Sequence, residues 1–113
     1  MNILEIDEKD IKSEKIIKVL GNEITIKNAK LEKRKHFIGI RPEHLKIKNE
    51  TKFKFSPEID IIENLGNEKI VYMKKDIHQL SAKISSGTEI GNSFSFDLQN
   101  IFIFNENGKR IKS

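Results

Sequence analysis

Hydrophobic and polar positions alternate along most of this chain, and the alternation predicts strands. It is cleanest in His78-Gln79-Leu80-Ser81-Ala82-Lys83-Ile84, where Leu80, Ala82 and Ile84 share one face and Gln79, Ser81 and Lys83 the other. Phe94, Phe96 and Leu98 repeat the pattern. Further strands are expected at Lys15 to Leu20, Glu23 to Lys27, His36 to Arg41, Lys52 to Phe55, Glu58 to Leu65, Glu68 to Lys74 and Phe102 to Asn105. Between them lie dipeptides that reach positive φ cheaply: Gly21-Asn22, Gly66-Asn67, Ser86-Gly87, Gly91-Asn92 and Asn107-Gly108. Short strands with a turn signal every roughly 8 to 12 residues predict an all-β fold, a barrel or a sandwich.

Helix is expected only as single turns. Pro42-Glu43-His44-Leu45 places proline at a first-turn position with an acid behind it, and Asp97 to Ile101 offers a second short turn. The tetrapeptide Leu-Gly-Asn-Glu occurs twice, at 20–23 and 65–68, each time between Ile-rich strands, which predicts two similar hairpins. No Gly/Ser- or Pro-rich linker divides the chain.

Composition strengthens the strand assignment. The 113 residues include 20 Ile but only 2 Ala, a balance that favours sheet over helix. Charge changes the picture less. The net charge is +4 and the pI near 9.3, but the 21 basic and 17 acidic residues are interspersed, so a solvated Lys-rich surface is favoured over a polyanion partner. There is no cysteine, which removes disulfides, thiolate nucleophiles and Cys-type zinc sites, and His36, His44 and His78 have no metal-ligand spacing. No apolar run is long enough to span a membrane and the N-terminus carries acids in place of a signal segment, so a cytoplasmic location is expected.

Catalytic chemistry finds little purchase. No Ser lies in a G-x-S-x-G context and no H-E-x-x-H occurs. Asp60 and Glu63 are neighbours on a predicted strand of alternating faces, but paired acids are commonplace among 17 carboxylates. Gly108-Lys109-Arg110 is the nearest approach to a phosphate-binding P-loop and lacks both its first glycine and its hydroxyl. The seven Phe are expected to fill the core, Phe94 and Phe96 on the face of Leu98 and Phe102 and Phe104 in the run ending the chain's last strand. No catalytic, cofactor-binding or metal-binding residue is assigned.

Ile38-Gly39-Ile40-Arg41-Pro42-Glu43-His44-Leu45 resembles the signature of the C-terminal regulatory domain in ATP-binding subunits of carbohydrate ABC importers, of the maltose and glycerol-3-phosphate type. Glu63-Asn64-Leu65-Gly66-Asn67-Glu68, with Ile70, Val71 and Tyr72, is similar to that family's E-x-L-G-x-E-x-x-x-Y hairpin, and Leu80-Ser81-Ala82-Lys83 to the strand after it. Gly91, Phe94 to Leu98, Ile101 to Phe104 and Asn107 to Ile111 resemble its closing strand and tail, and Met1 to Leu4 the point where its chain leaves the nucleotide-binding domain.

The resemblance implies a transport-associated OB-type (TOBE) β-barrel with a second barrel-like half. It implies one regulatory domain over residues 1–113, in approximate halves 1–35 (completed by later strands) and 36–113. The ATPase domain, with the ATP and Mg it binds, is absent from this chain, which is expected to be a truncated fragment and not an enzyme by itself. The implied role is to hold two ATPase subunits together and to receive regulatory signals, with a second copy of the subunit, the ATPase domain and the importer's membrane subunits as partners, at the inner face of the cell membrane. The signature residues are Gly39, Arg41, Pro42, Glu43, His44, Glu63, Gly66, Asn67 and Glu68, with mainly structural parts. Arg41 is expected to neutralise a carboxylate such as Glu43 or one on another strand, Pro42 to fix the exit from the strand, His44 to cap or pack, and Gly66-Asn67 to form a tight turn required by φ. The competing reading is a free-standing OB-type module that binds nucleic acid or a small oxyanion.

Overall fold

The computed structural model describes residues 1–47 and 51–112. It is all-β: β1 (Asn2–Ile6), β2 (Ile16–Val19), β3 (Asn22–Thr25), β4 (His36–Ile40), β5 (Lys46–Ile47), β6 (Phe53–Phe55), β7 (Glu58–Asn64), β8 (Glu68–Lys75), β9 (His78–Ser85), β10 (Phe94–Phe96), β11 (Ile101–Phe104) and β12 (Arg110–Ile111). Helix among the described residues is confined to 3₁₀ turns at Glu8–Asp10, Pro42–His44 and Leu98–Asn100. The strands form four antiparallel sheets, ordered β1-β4-β11-β12, β5-β10-β6, β2-β3 and β7-β8-β9, and among the described residues none closes on itself.

The sheets share one hydrophobic cluster. In β1, β4 and β11 alternation sends Leu4, Ile6, Ile38, Ile40, Ile101 and Ile103 inward, and all are buried. The same rule turns Phe102 and Phe104 outward beside Gly39 and Phe37, so these two rings are half-buried on the outer face and not in the core expected for them. Ile101 and Ile103 hold the inner positions instead. Phe94 and Phe96 do lie in the core, stacked with Phe55 and Phe53 at centroid distances of 5.6 to 6.3 Å. Their strand ends at Phe96, because the Asp97 carboxylate accepts the Leu98 N–H at 2.9 Å and starts a 3₁₀ turn.

The repeated Leu-Gly-Asn-Glu sits at two hairpin tips, but the hairpins are not alike. Between β2 and β3 the turn is Leu20-Gly21, with φ of 50° and 83°, and Val19 pairs with Asn22. A leucine in left-handed backbone costs about 1 to 2 kcal/mol. Leu20 is buried, which contributes a comparable or larger amount, roughly 1.5 to 3 kcal/mol. Between β7 and β8 no such offset exists, since Leu65 is 58% exposed. There the turn moves one residue on, to Gly66-Asn67, with Gly66 at φ 92° and the Leu65 N–H donating to the Glu68 carbonyl at 2.8 Å.

β7 breaks the alternation expected of it. Its register shifts between Ile59 and Ile61, leaving Asp60 as an extra residue, so Ile59 faces Met73 and Ile62 faces Val71 on the same side of the sheet. Asp60 and Glu63 are therefore not related by simple strand parity; Asp60 lies 3.7 Å from Lys74 and Glu63 is exposed opposite Ile70.

Two sheets are joined by one side chain. Asn2 is buried at the inward end of β1, and its carboxamide pairs with the backbone of Ser81 on β9: the Ser81 N–H donates to Oδ1 at 2.7 Å and Nδ2 donates to the Ser81 carbonyl at 2.9 Å. The amide thus satisfies both backbone groups that the edge of β9 presents there.

Candidate functional site

The octapeptide at 38–45 folds as one unit: β4, an extended Arg41, then the turn Pro42–His44. Pro42 is well suited to the first turn position because it has no N–H to leave unpaired. The His44 N–H donates to the Arg41 carbonyl at 2.9 Å, and buried Leu45 returns the chain to the core. The turn packs against β9. Gly39 lies between Ile3 and Phe102; a side chain there would begin 2.5 Å from the Met1 sulfur and 3.3 Å from the Phe104 ring.

Among the described residues Arg41 forms no ion pair, although its charge helps to lower the Glu43 carboxyl. Its guanidinium lies over the Phe102 ring at 5.7 Å, where Arg110 also sits at 4.8 Å, so the two cations cover the outward aromatic. The carboxyl of exposed Glu43 is held below its ordinary value, chiefly by a hydrogen bond with its own backbone, opposed by desolvation and helped by the charges of His44, Arg41 and Lys83. His44 is half-buried, with Nδ1 enclosed and unpartnered among the described residues.

The second group occupies the β7–β8 tip. The Asn64 carboxamide accepts the Gly66 N–H at 3.0 Å, and the Asn67 carbonyl accepts the Ser86 N–H at 3.0 Å. Glu68 pairs with Lys83 of β9 at 3.3 Å, an exposed contact worth about 0 to 1 kcal/mol. The two groups meet through β9, which carries Lys83 and packs against the Pro42–His44 turn. What the structure assembles here is a framework: a proline-led turn and a glycine turn on either side of β9, with Lys83 paired to Glu68. Among the described residues no three potential metal ligands cluster, and no helix is long and apolar enough to cross a membrane.

Two features escaped the sequence reading. One is Asn2, a polar residue at an inward position of the alternation Asn2, Leu4, Ile6. The other is a cleft of about 410 Å³ between the segment 30–36 and the β11–β12 hairpin, lined by Lys30, Arg34, Lys35, Lys109 and Arg110 with Glu32 and Glu106. Its floor includes buried His36, whose Nδ1 donates to the Arg34 carbonyl at 2.8 Å.

His78, at the start of β9, makes one contribution to the pH dependence of stability. Burial pushes its imidazole below the ordinary value, opposed by the charges of Asp76, Asp10 and Glu5. A depressed histidine is neutral in both states above its unfolded value; as pH falls below that, the unfolded chain takes up the proton first and stability is lost. Unfolding midpoints measured by circular dichroism should therefore fall from pH 7.5 to pH 5, and His78→Gln should flatten that slope.

No protein-family model matches this chain, and no curated protein matches it.

Proposed function

We propose that this chain is the non-catalytic regulatory and dimerisation domain of an ATP-binding subunit of a carbohydrate-type ABC importer, with a transport-associated OB-type fold. The observation that carries the reading is the segment Ile38 to Leu45, which folds as a structural unit: a strand, an arginine laid over Phe102 of β11 and a proline-led turn seated on β9. The E-x-L-G-x-E hairpin adds support, since its Glu68 pairs with Lys83 of β9, the strand on which the Pro42–His44 turn also packs. In this reading Gly39, Pro42, Gly66 and Asn67 shape the backbone, and Arg41, Glu43, His44, Glu63 and Glu68 set the surface that a regulatory partner or second copy meets. ATP and Mg bind the ATPase domain, outside this chain, so the purified chain should show neither ATP turnover nor a nucleotide-induced thermal shift.

Self-association follows from the same reading. Without the second contact that linked ATPase domains supply, effective concentration at the interface falls. The isolated interface is expected near or below the roughly 1,200 Å² of standard stable complexes. Sedimentation velocity over a wide concentration range should show a monomer or a dissociating dimer; a dimer persisting under high dilution would contradict this. The nucleic-acid alternative draws on Phe37, Phe102 and Phe104 turned outward beside Arg41 and Arg110. Single-strand binding that weakens steeply with salt would favour it.

A further inference from the structure

The cleft between residues 30–36 and the β11–β12 hairpin gathers five cations against two carboxylates, in a chain whose whole net charge is only +4. Two of the cations are already engaged, Arg34 with Glu32 at 3.3 Å and Lys35 with Glu5 at 2.9 Å, and Arg110 lies over Phe102. Lys30 and Lys109 have no ion-pair partner among the described residues. Both walls are anchored. Leu31 is buried and its N–H donates to the Glu14 carbonyl at 2.7 Å, while the Asn105 carboxamide accepts the N–H groups of Asn107 and Lys109 at 3.0 and 2.9 Å and Gly108 turns at φ 83°. Facing cations on preorganised walls attract anions without the cost of ordering loops.

We propose that this cleft binds a small organic anion bearing two phosphate groups. Its volume lies in the range of small-molecule sites and exceeds what one tetrahedral oxyanion fills. Among the described residues no Phe or Tyr lines it to offer a stacking surface for a base, and Glu32 and Glu106 interrupt the positive track a nucleic-acid strand would follow. Lys30 and Lys109, on opposite walls, each take one phosphate, and Arg34 adds the guanidinium donors other than the Nε that meets Glu32. This inference does not depend on the importer reading.

The test is amide chemical-shift mapping of the chain with inorganic phosphate, pyrophosphate, fructose bisphosphate and a short oligothymidylate. The bisphosphate should move the amides of 30–36 and 105–111 and bind about tenfold more tightly than inorganic phosphate, as a second charge-assisted contact provides. The exposed double reversal Lys30→Glu with Lys109→Glu should weaken it by about tenfold or more, while Lys54→Glu, outside the cleft, should leave it unchanged. Absent or scattered shifts, or shifts indifferent to the double reversal, would overturn the proposal. Tighter binding of the oligothymidylate than of the bisphosphate would also overturn it and assign the surface to nucleic acid.

Discussion

Phe96→Ala is expected to destabilise the chain by about 4 kcal/mol, the scale of a phenylalanine deleted from a packed core. The ring is fully buried and touches both Phe53 and Phe55, at 5.6 and 6.1 Å, where the β5-β10-β6 sheet meets the rest of the cluster. Small domains are stable by only about 5 to 15 kcal/mol, so this one truncation removes a large share. Urea denaturation should show a lower midpoint with an unchanged slope. Phe102→Ala supplies the contrast, because that ring lies on the outer face under two arginines and its loss should cost less than half as much. Equal costs would mean that the division into inner and outer faces of β11 is wrong.

Asn2→Leu is expected to cost about 3 kcal/mol, although it adds apolar bulk at a buried position. The reason is asymmetric: the substitution abolishes two short hydrogen bonds and leaves the Ser81 N–H and carbonyl facing a hydrocarbon. Hydrogen exchange at the Ser81 amide should accelerate in the variant well beyond what global destabilisation explains, because the amide that shielded it is gone. Unchanged exchange at Ser81, with unchanged stability, would show that β1 and β9 are held together by apolar packing alone.

Much of the fold was legible. The strands at 78–84, 36–41 and 68–74 stand within a residue or two of their predicted places because each has one buried face and a turn signal at its end. β1 lies outside the expected strands, although Asn2, Leu4 and Ile6 alternate correctly, because a polar residue opens its inward face. The identical Leu-Gly-Asn-Glu pieces could not reveal that one leucine is buried and the other exposed, which is what shifts the turn by a residue. Phe102 and Phe104 were misplaced by treating Ile-Phe-Ile-Phe as a continuous apolar run, when only one parity of it reaches the core.

The candidate site was legible only as local backbone. Proline after a strand and glycine in a turn announce themselves in sequence, but Arg41 over Phe102 and Lys83 beside Glu68 are contacts made between neighbouring strands, set by sheet order and register. The cationic cleft is the extreme case. Its walls lie some 70 residues apart in the chain, and each alone is an ordinary charged loop. They meet only because β4 and β11 are neighbours and β12 folds back on β11.

The proposed importer role requires this chain to work in an assembly with transport subunits. The direct measurement is affinity purification of the tagged native polypeptide from detergent-solubilised membranes of its source cells, with the recovered complex identified by mass spectrometry. Recovery in stoichiometric amount with the ATP-binding and membrane-spanning subunits of a carbohydrate importer is the expected result. Recovery of the polypeptide alone, or with nucleic acid and no transport subunit, would contradict it.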